Sequence, residues 1–175
     1  MQDEAFETML TGGHHNSLGR TVEVFDTVMA TPERLEEIYS CYFSQDEVVR
    51  LRTSSVFKRI SIEEPEWLLP YIDKFINDIA KIDQASTQWT LAILFAALRQ
   101  YMTPAQAKDA KQILQNNLAN HNDWIVLNYT MQTLADWSKD DTVLKDWLMP
   151  HLQRVSNDSR KSVAGRAKKL IAALL

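Results

Sequence analysis

One cysteine, four glycines and five prolines are all that 175 residues contain of the types that staple, bend or break a chain. The lone thiol, Cys41, cannot close an intrachain disulfide, which excludes a disulfide framework and fits a reducing compartment. No run approaches the ~18 uncharged apolar residues of a membrane span. The first ten residues hold Asp3, Glu4 and Glu7 and lack the basic segment that opens a secretory leader. A cytoplasmic protein away from any membrane is the expectation. Gly12, Gly13 and Gly19 neither follow a strand-like run nor match a phosphate-binding loop, so no nucleotide or other cofactor is expected. Strict two-residue alternation is missing as well, which leaves no candidate strand.

Apolar residues at spacings of three and four fill the space those absences leave, and they read as helix almost throughout. A short helix over 3–10 ends at Gly12-Gly13. Asn16 or Ser17 caps a second, about 18–29, with Leu18, Val22, Phe25 and Val28 or Met29 on one stripe. Thr31-Pro32 starts a third, with Leu35, Ile38, Tyr39 and Tyr42. Ser44 and Glu47, and again Ser61 and Glu64, have the spacing of a capping box. Asp83 precedes a very apolar helix, Thr90–Leu98, expected to be central and sandwiched. Thr103, Pro104 and Gln106 cap the next, and Asn122 or Asp123, Asp140 or Asp141, and Asn157 or Asp158 precede the last three.

A hexapeptide then stands out because it occurs twice. Trp67, Leu68, Leu69, Pro70, Tyr71 and Ile72 return eighty positions later as Trp147, Leu148, Met149, Pro150, His151 and Leu152. Eighty is about two periods of a helical-pair repeat, each about 33–47 residues long. The copies are expected to open equivalent second helices, with the tryptophans as packing pegs and the prolines in first turns. The first helices superpose as Val49, Phe57 and Ile60, then Thr90, Leu98 and Tyr101, then Val126, Leu134 and Trp137, at offsets of 41 and 36.

On Asp46, Glu47, Val48, Val49 and Arg50, followed by Thr53, Ser54 and Ser55 and then Phe57 and Ile60, the chain resembles the HEAT repeat family. Leu91 and Leu127 stand where Arg50 stands in the next two pairs. The resemblance implies an all-α, right-handed α-α superhelix of about four to five antiparallel helix pairs over residues 18–175, preceded by a short helix and Gly-rich loop over 1–17. It also implies a concave face lined by second helices. Independently of the family, an amphipathic pair cannot bury its stripe alone, so neighbouring pairs stack into one core.

Charge is unevenly placed. Residues 1–45 hold eight acids and two bases, whereas residues 154–175 hold six bases and one acid. That basic end, with Arg154, Lys161, Arg166, Lys168 and Lys169, is the candidate partner-binding surface, since it suits an acidic segment or the acidic end of a second copy. Other constellations are weaker. His14 and His15 are adjacent, and adjacent side chains diverge, so no metal is expected. Cys41 lies among Tyr39, Tyr42 and Phe43 and reads as a small buried hydrophobe. Glu36-Glu37 and Glu63-Glu64 are neighbours in sequence and do not share a helix face. Asp136 beside Trp137 invites comparison with the alkylpurine DNA glycosylases, but the overall charge of −4 opposes a general nucleic-acid binder. The expectation is a non-enzymatic module that binds another protein or peptide on its second-helix face. The competing reading is a nucleic-acid binder or base-repair enzyme, and a weak homo-oligomer through the opposite ends is a third.

Overall fold

The computed structural model describes residues 4–175, so Asp3 and the expected start of the first helix lie outside the described residues. The described chain is all-helical, with no strand, and groups into two compact units that divide between Tyr71 and Ile72.

In the first unit, α1 (Phe6–Leu10), α2 (Thr21–Ala30), α3 (Leu35–Ser40) and α4 (Glu47–Glu63) are followed by a 3₁₀ stretch, Pro65–Tyr71. Phe6, Leu10, Val24, Val28, Ile38, Tyr42, Val56, Phe57 and Leu68 form its core, in which the Tyr42 and Phe57 rings stack at 5.3 Å. At the core's edge Arg34 lies 3.8 Å above the Phe6 ring and pairs with Glu37 at 2.8 Å. Glu37 also accepts the Phe6 N–H at 2.8 Å. Burial pushes the Glu37 carboxyl up, but Arg34 and that N–H outweigh it and leave the group below the ordinary carboxylate range.

The chain between α1 and α2 is organised by a residue the sequence pattern does not flag. Arg52 on α4 is only 3% exposed and faces no carboxylate within ion-pair distance among the described residues. Its guanidinium instead donates to the carbonyls of Leu10 (2.6 Å), Gly12 (2.7 Å), His14 (3.4 Å) and Ser17 (3.2 Å). Each carbonyl dipole thereby compensates the buried cation, and the cation satisfies oxygens that would otherwise compete for water. Gly19 is required for this approach: its φ is +51°, and a Cβ there would lie 2.7 Å from Arg52 Cζ. Residues 11–19 are therefore held within the first unit.

This cage also corrects the reading of α2. The helix begins at Thr21, beyond Gly19, with no side-chain cap from Asn16 or Ser17. Leu18 (52% exposed) and Val22 (41%) face outward, and the buried row is Thr21, Val24 and Val28. Two capping assignments change as well. Asp46 rather than Ser44 caps α4, accepting the Val48 N–H at 2.8 Å, while Ser44 accepts the Asp46 N–H. Ser61 lies inside α4, where its hydroxyl bonds back to the Lys58 carbonyl, and the helix runs on to Glu63, just before Pro65.

The second unit holds α5 (Ile72–Asn77), α6 (Ala85–Leu98), α7 (Pro104–Asn120), α8 (Trp124–Trp137), α9 (Thr142–Val155) and α10 (Lys161–Leu174). α6 packs on α8 and α8 on α10, and α7 and α9 each pack on two members of that row. As expected, α6 is buried on nearly every side; Gln88 is tied internally, while the buried Thr87 hydroxyl has no hydrogen-bond partner among the described residues. Gln88 donates to the Ala80 and Ile82 carbonyls and accepts from Asn117, and Thr133 of α8 donates to the Ala92 carbonyl at 3.0 Å. Gln84, not Asp83, occupies the N-cap position of α6, with no side-chain cap bond. The Thr103–Gln106 capping box forms with Pro104 at its first turn, and Asp123 and Asp141 cap α8 and α9.

The twin hexapeptides occupy different secondary structure. Trp67 lies in the 3₁₀ stretch, whereas Trp147 and Pro150 lie well inside α9. The first copy runs through the 3₁₀ stretch into the start of α5 at Ile72, and the second begins and ends inside α9. What the copies share is a burial register: Leu68 and Leu148 are fully buried, Ile72 and Leu152 nearly or fully so, and both prolines point outward, where a missing backbone donor is least costly. The start of α10 also differs from expectation, because neither Asn157 nor Asp158 caps it. Asp158 instead accepts from the Arg160 backbone and guanidinium at 2.7–2.8 Å, and Arg160 reaches the Asn122 carbonyl ahead of α8.

Two outcomes follow. Gly19→Ala, which combines a left-handed φ with a collision against Arg52, is expected to cost about 2–4 kcal/mol in urea unfolding. Gly12→Ala, whose new Cβ meets nothing within 4 Å, is expected to cost only the backbone strain of about 1–2 kcal/mol. Arg160 holds the Asp158 carboxyl down to about 2 from 3.8. A depressed folded-state value means this stabilisation is complete above pH 4 and lost as pH falls toward 2. The urea midpoint should therefore drop over that window, and Asp158→Asn should flatten the drop.

Candidate basic docking face on α10

Of the basic residues at the C-terminal end, Arg154 and Arg160 are used within the fold. Arg154 donates to the Leu118 carbonyl of α7 at 3.0 Å and lines neither groove described below, so the structure separates it from the other candidates. Arg160 is held by Asp158 at 2.7 Å.

Lys161, Arg166, Lys168 and Lys169 are different. α10 buries Val163, Ala164, Ala167, Leu170 and Leu174 against α8 and α9. A helix turns 100° per residue, so its opposite side consists of Lys161, Ser162, Gly165, Arg166, Lys168, Lys169, Ala172 and Ala173. That side carries four cations and no acid. Among the described residues no carboxylate pairs with them; Arg166 donates only to the Gln132 side chain of α8, at 2.9 Å. Gln132 in turn donates to Asp136, which Lys139 holds at 2.8 Å.

Two concavities flank this side. One, of about 580 Å³, is lined by Gln132, Lys161, Gly165, Arg166 and Lys169 with Leu170 and Ala173. The other, of about 410 Å³, is lined by the α9–α10 turn, Lys161, Ala164, Gly165 and Lys168. Lys161 and Gly165 border both. A Cβ at Gly165 would meet nothing within 4 Å, so no packing inside the chain requires glycine there.

The remaining candidates have structural roles. Cys41 is 4% exposed, and burial, with Glu7 and Glu37 nearby, pushes its thiol up to about 12, which suppresses the thiolate. His14 and His15 stack at 4.4 Å, and His14 Nδ1 accepts the Asn16 N–H. Among the described residues no group of three or more His, Cys, Asp or Glu converges as metal ligands would. Glu36 accepts from the Tyr71 hydroxyl at 2.8 Å, whereas Glu37 binds Arg34, so these neighbours serve different elements. Asp136 is exposed, and its carboxyl is pushed up by burial of its surroundings but pulled lower overall by Lys139 and Gln132. The Trp137 ring lies under Arg99 at 5.3 Å. The five tryptophans are none of them buried, and Trp124 is half exposed, so they border the core and do not fill it.

Sequence reasoning found the cations but missed Gln132 and Gly165. Gln132 has no signal in one dimension, whereas a glycine inside an amphipathic helical pattern is a visible irregularity.

No family model and no curated protein matches the chain. Its fold is similar to the crystal structure of an engineered protein, with a TM-score of 0.65 over 97% of this chain and 79% of that one, at 15% identity. At that identity the likeness bears on the fold alone.

Because Gly165 has open space around it, Gly165→Ala is expected to stabilise the chain by about 0.5–1 kcal/mol, the difference in helix propensity. Thermal and urea unfolding measure this directly, and a loss of stability would reveal a contact that glycine alone permits.

Proposed function

We propose that this chain is a non-enzymatic protein-interaction module, a HEAT-like right-handed superhelix whose partner segment is acidic. The observation that carries the reading is the exposed side of α10, where Lys161, Arg166, Lys168 and Lys169 stand without a carboxylate. Four like charges on one helix face repel one another, and an anionic partner relieves that repulsion. The row α6–α8–α10 corresponds to the first helices of the repeat register, so this proposal moves docking away from the second-helix face that the family resemblance implies. The base-repair reading has less support, because Asp136 is engaged by Lys139 and Gln132.

Replacement of Lys161, Arg166, Lys168 and Lys169 together by Gln is expected to leave the helical circular dichroism spectrum unchanged. It should also reduce retention of a defined protein partner at least tenfold in affinity capture with the full chain. Equal retention of every partner by the variant would overturn the reading.

A further inference from the structure

The grooves beside α10 say more about the shape of the occupant than the charges alone do. They lie on opposite flanks of one helix and meet where Gly165 carries no side chain, with Lys161 beside both. Any other residue at 165 would raise a ridge between them. Helix interiors disfavour glycine, and nothing in the chain approaches this one. A body that crosses α10 at this half-buried position therefore meets backbone with no side chain in the way. In the first groove Ala173 and the narrow exposed edge of Leu170 supply apolar contact, with Arg166 and Lys169 on that flank, while the second is lined by Lys168 together with Ser156, Asn157, Asp158 and Ser159. An apolar floor in the first groove, lysines and an arginine on both flanks and a central position without a side chain match an amphipathic helix with an apolar stripe and acidic edges.

We infer that α10 is a saddle for an acidic amphipathic helix of a partner protein, which crosses over Gly165 with its apolar stripe on Leu170 and Ala173 and its carboxylates on Lys161, Arg166, Lys168 and Lys169. This inference rests on the interaction reading above and adds the occupant. Charge complementarity selects an acidic segment. The apolar floor selects a folded one with a stripe over an extended polyanion, since a phosphate backbone has nothing to set against Leu170 and Ala173. A crossing helix of about 14 residues, roughly 20 Å long, is sufficient to reach from one groove into the other.

Three fluorescein-labelled probes test this against the full chain at two salt concentrations. The first is a synthetic 21-residue peptide whose Leu and Ala form one helical stripe flanked by Glu. The second has the same composition scrambled to destroy the stripe, and the third is a 21-base-pair DNA duplex. The striped peptide is expected to bind at least tenfold more tightly than the other two, and less tightly at high salt. Gly165→Leu should weaken it at least tenfold with all four cations in place. Lys161→Gln with Lys168→Gln should do the same, with circular dichroism reporting that each variant is folded. Equal binding by Gly165→Leu, equal binding of the scrambled peptide, or tighter binding of the duplex would each overturn the inference. So would concentration-dependent self-association in sedimentation that the striped peptide fails to compete. If Gly165→Leu binds a captured partner normally while the fourfold Gln variant does not, the interaction reading stands and the helical occupant falls.

Discussion

The buried guanidinium of Arg52 is the constraint around which the first unit is arranged. A cation removed from water must be compensated at short range, and here four backbone carbonyls from residues 10–17 do so in place of a carboxylate. The consequences run outward. The chain must wrap the guanidinium, which demands a left-handed glycine at position 19 and leaves no room for a side chain there. The turn at Gly19 then sets where α2 begins, and therefore which of its residues face the core. An interaction centred on α4 thus decides the register of a helix some thirty residues earlier in sequence.

In the second unit the corresponding constraint is the central position of α6. A helix buried on nearly every side leaves its polar groups no water, so Gln88 is bonded to nearby carbonyls and to Asn117 of α7, and Thr133 of α8 bonds the Ala92 carbonyl, with the Thr87 hydroxyl the exception. These links fix α6 against α7 and α8 as specifically as the apolar packing does. α10, at the end of the row, has neighbours on one side only. It is accordingly the most sharply amphipathic helix, with alanine, valine and leucine inward and lysine, arginine and small residues outward.

The basic residues near the C-terminus looked like one group in sequence and divide into two in space. Arg154 and Arg160 complete hydrogen bonds to backbone carbonyls of other elements, whereas of the four cations on α10 only Arg166 reaches another element, at the Gln132 side chain. Proximity along a chain says nothing about whether a charge has a partner, because partners such as Leu118 and Asn122 lie more than thirty positions away.

Helix content, the Thr103 capping box, the central burial of α6 and the inert character of Cys41 were legible in the sequence, since each depends on local spacing or on side-chain type. The twin hexapeptides were legible as a burial register and misleading as helix starts, because a proline tolerates either a 3₁₀ turn or the outer side of an α-helix. The cage around Arg52, the resulting shift of α2 and the two grooves that meet at Gly165 were decided only by the tertiary structure. Each of them is an agreement among groups far apart in the chain, and helical periodicity carries no information about which distant carbonyl, glycine or cation will share a site.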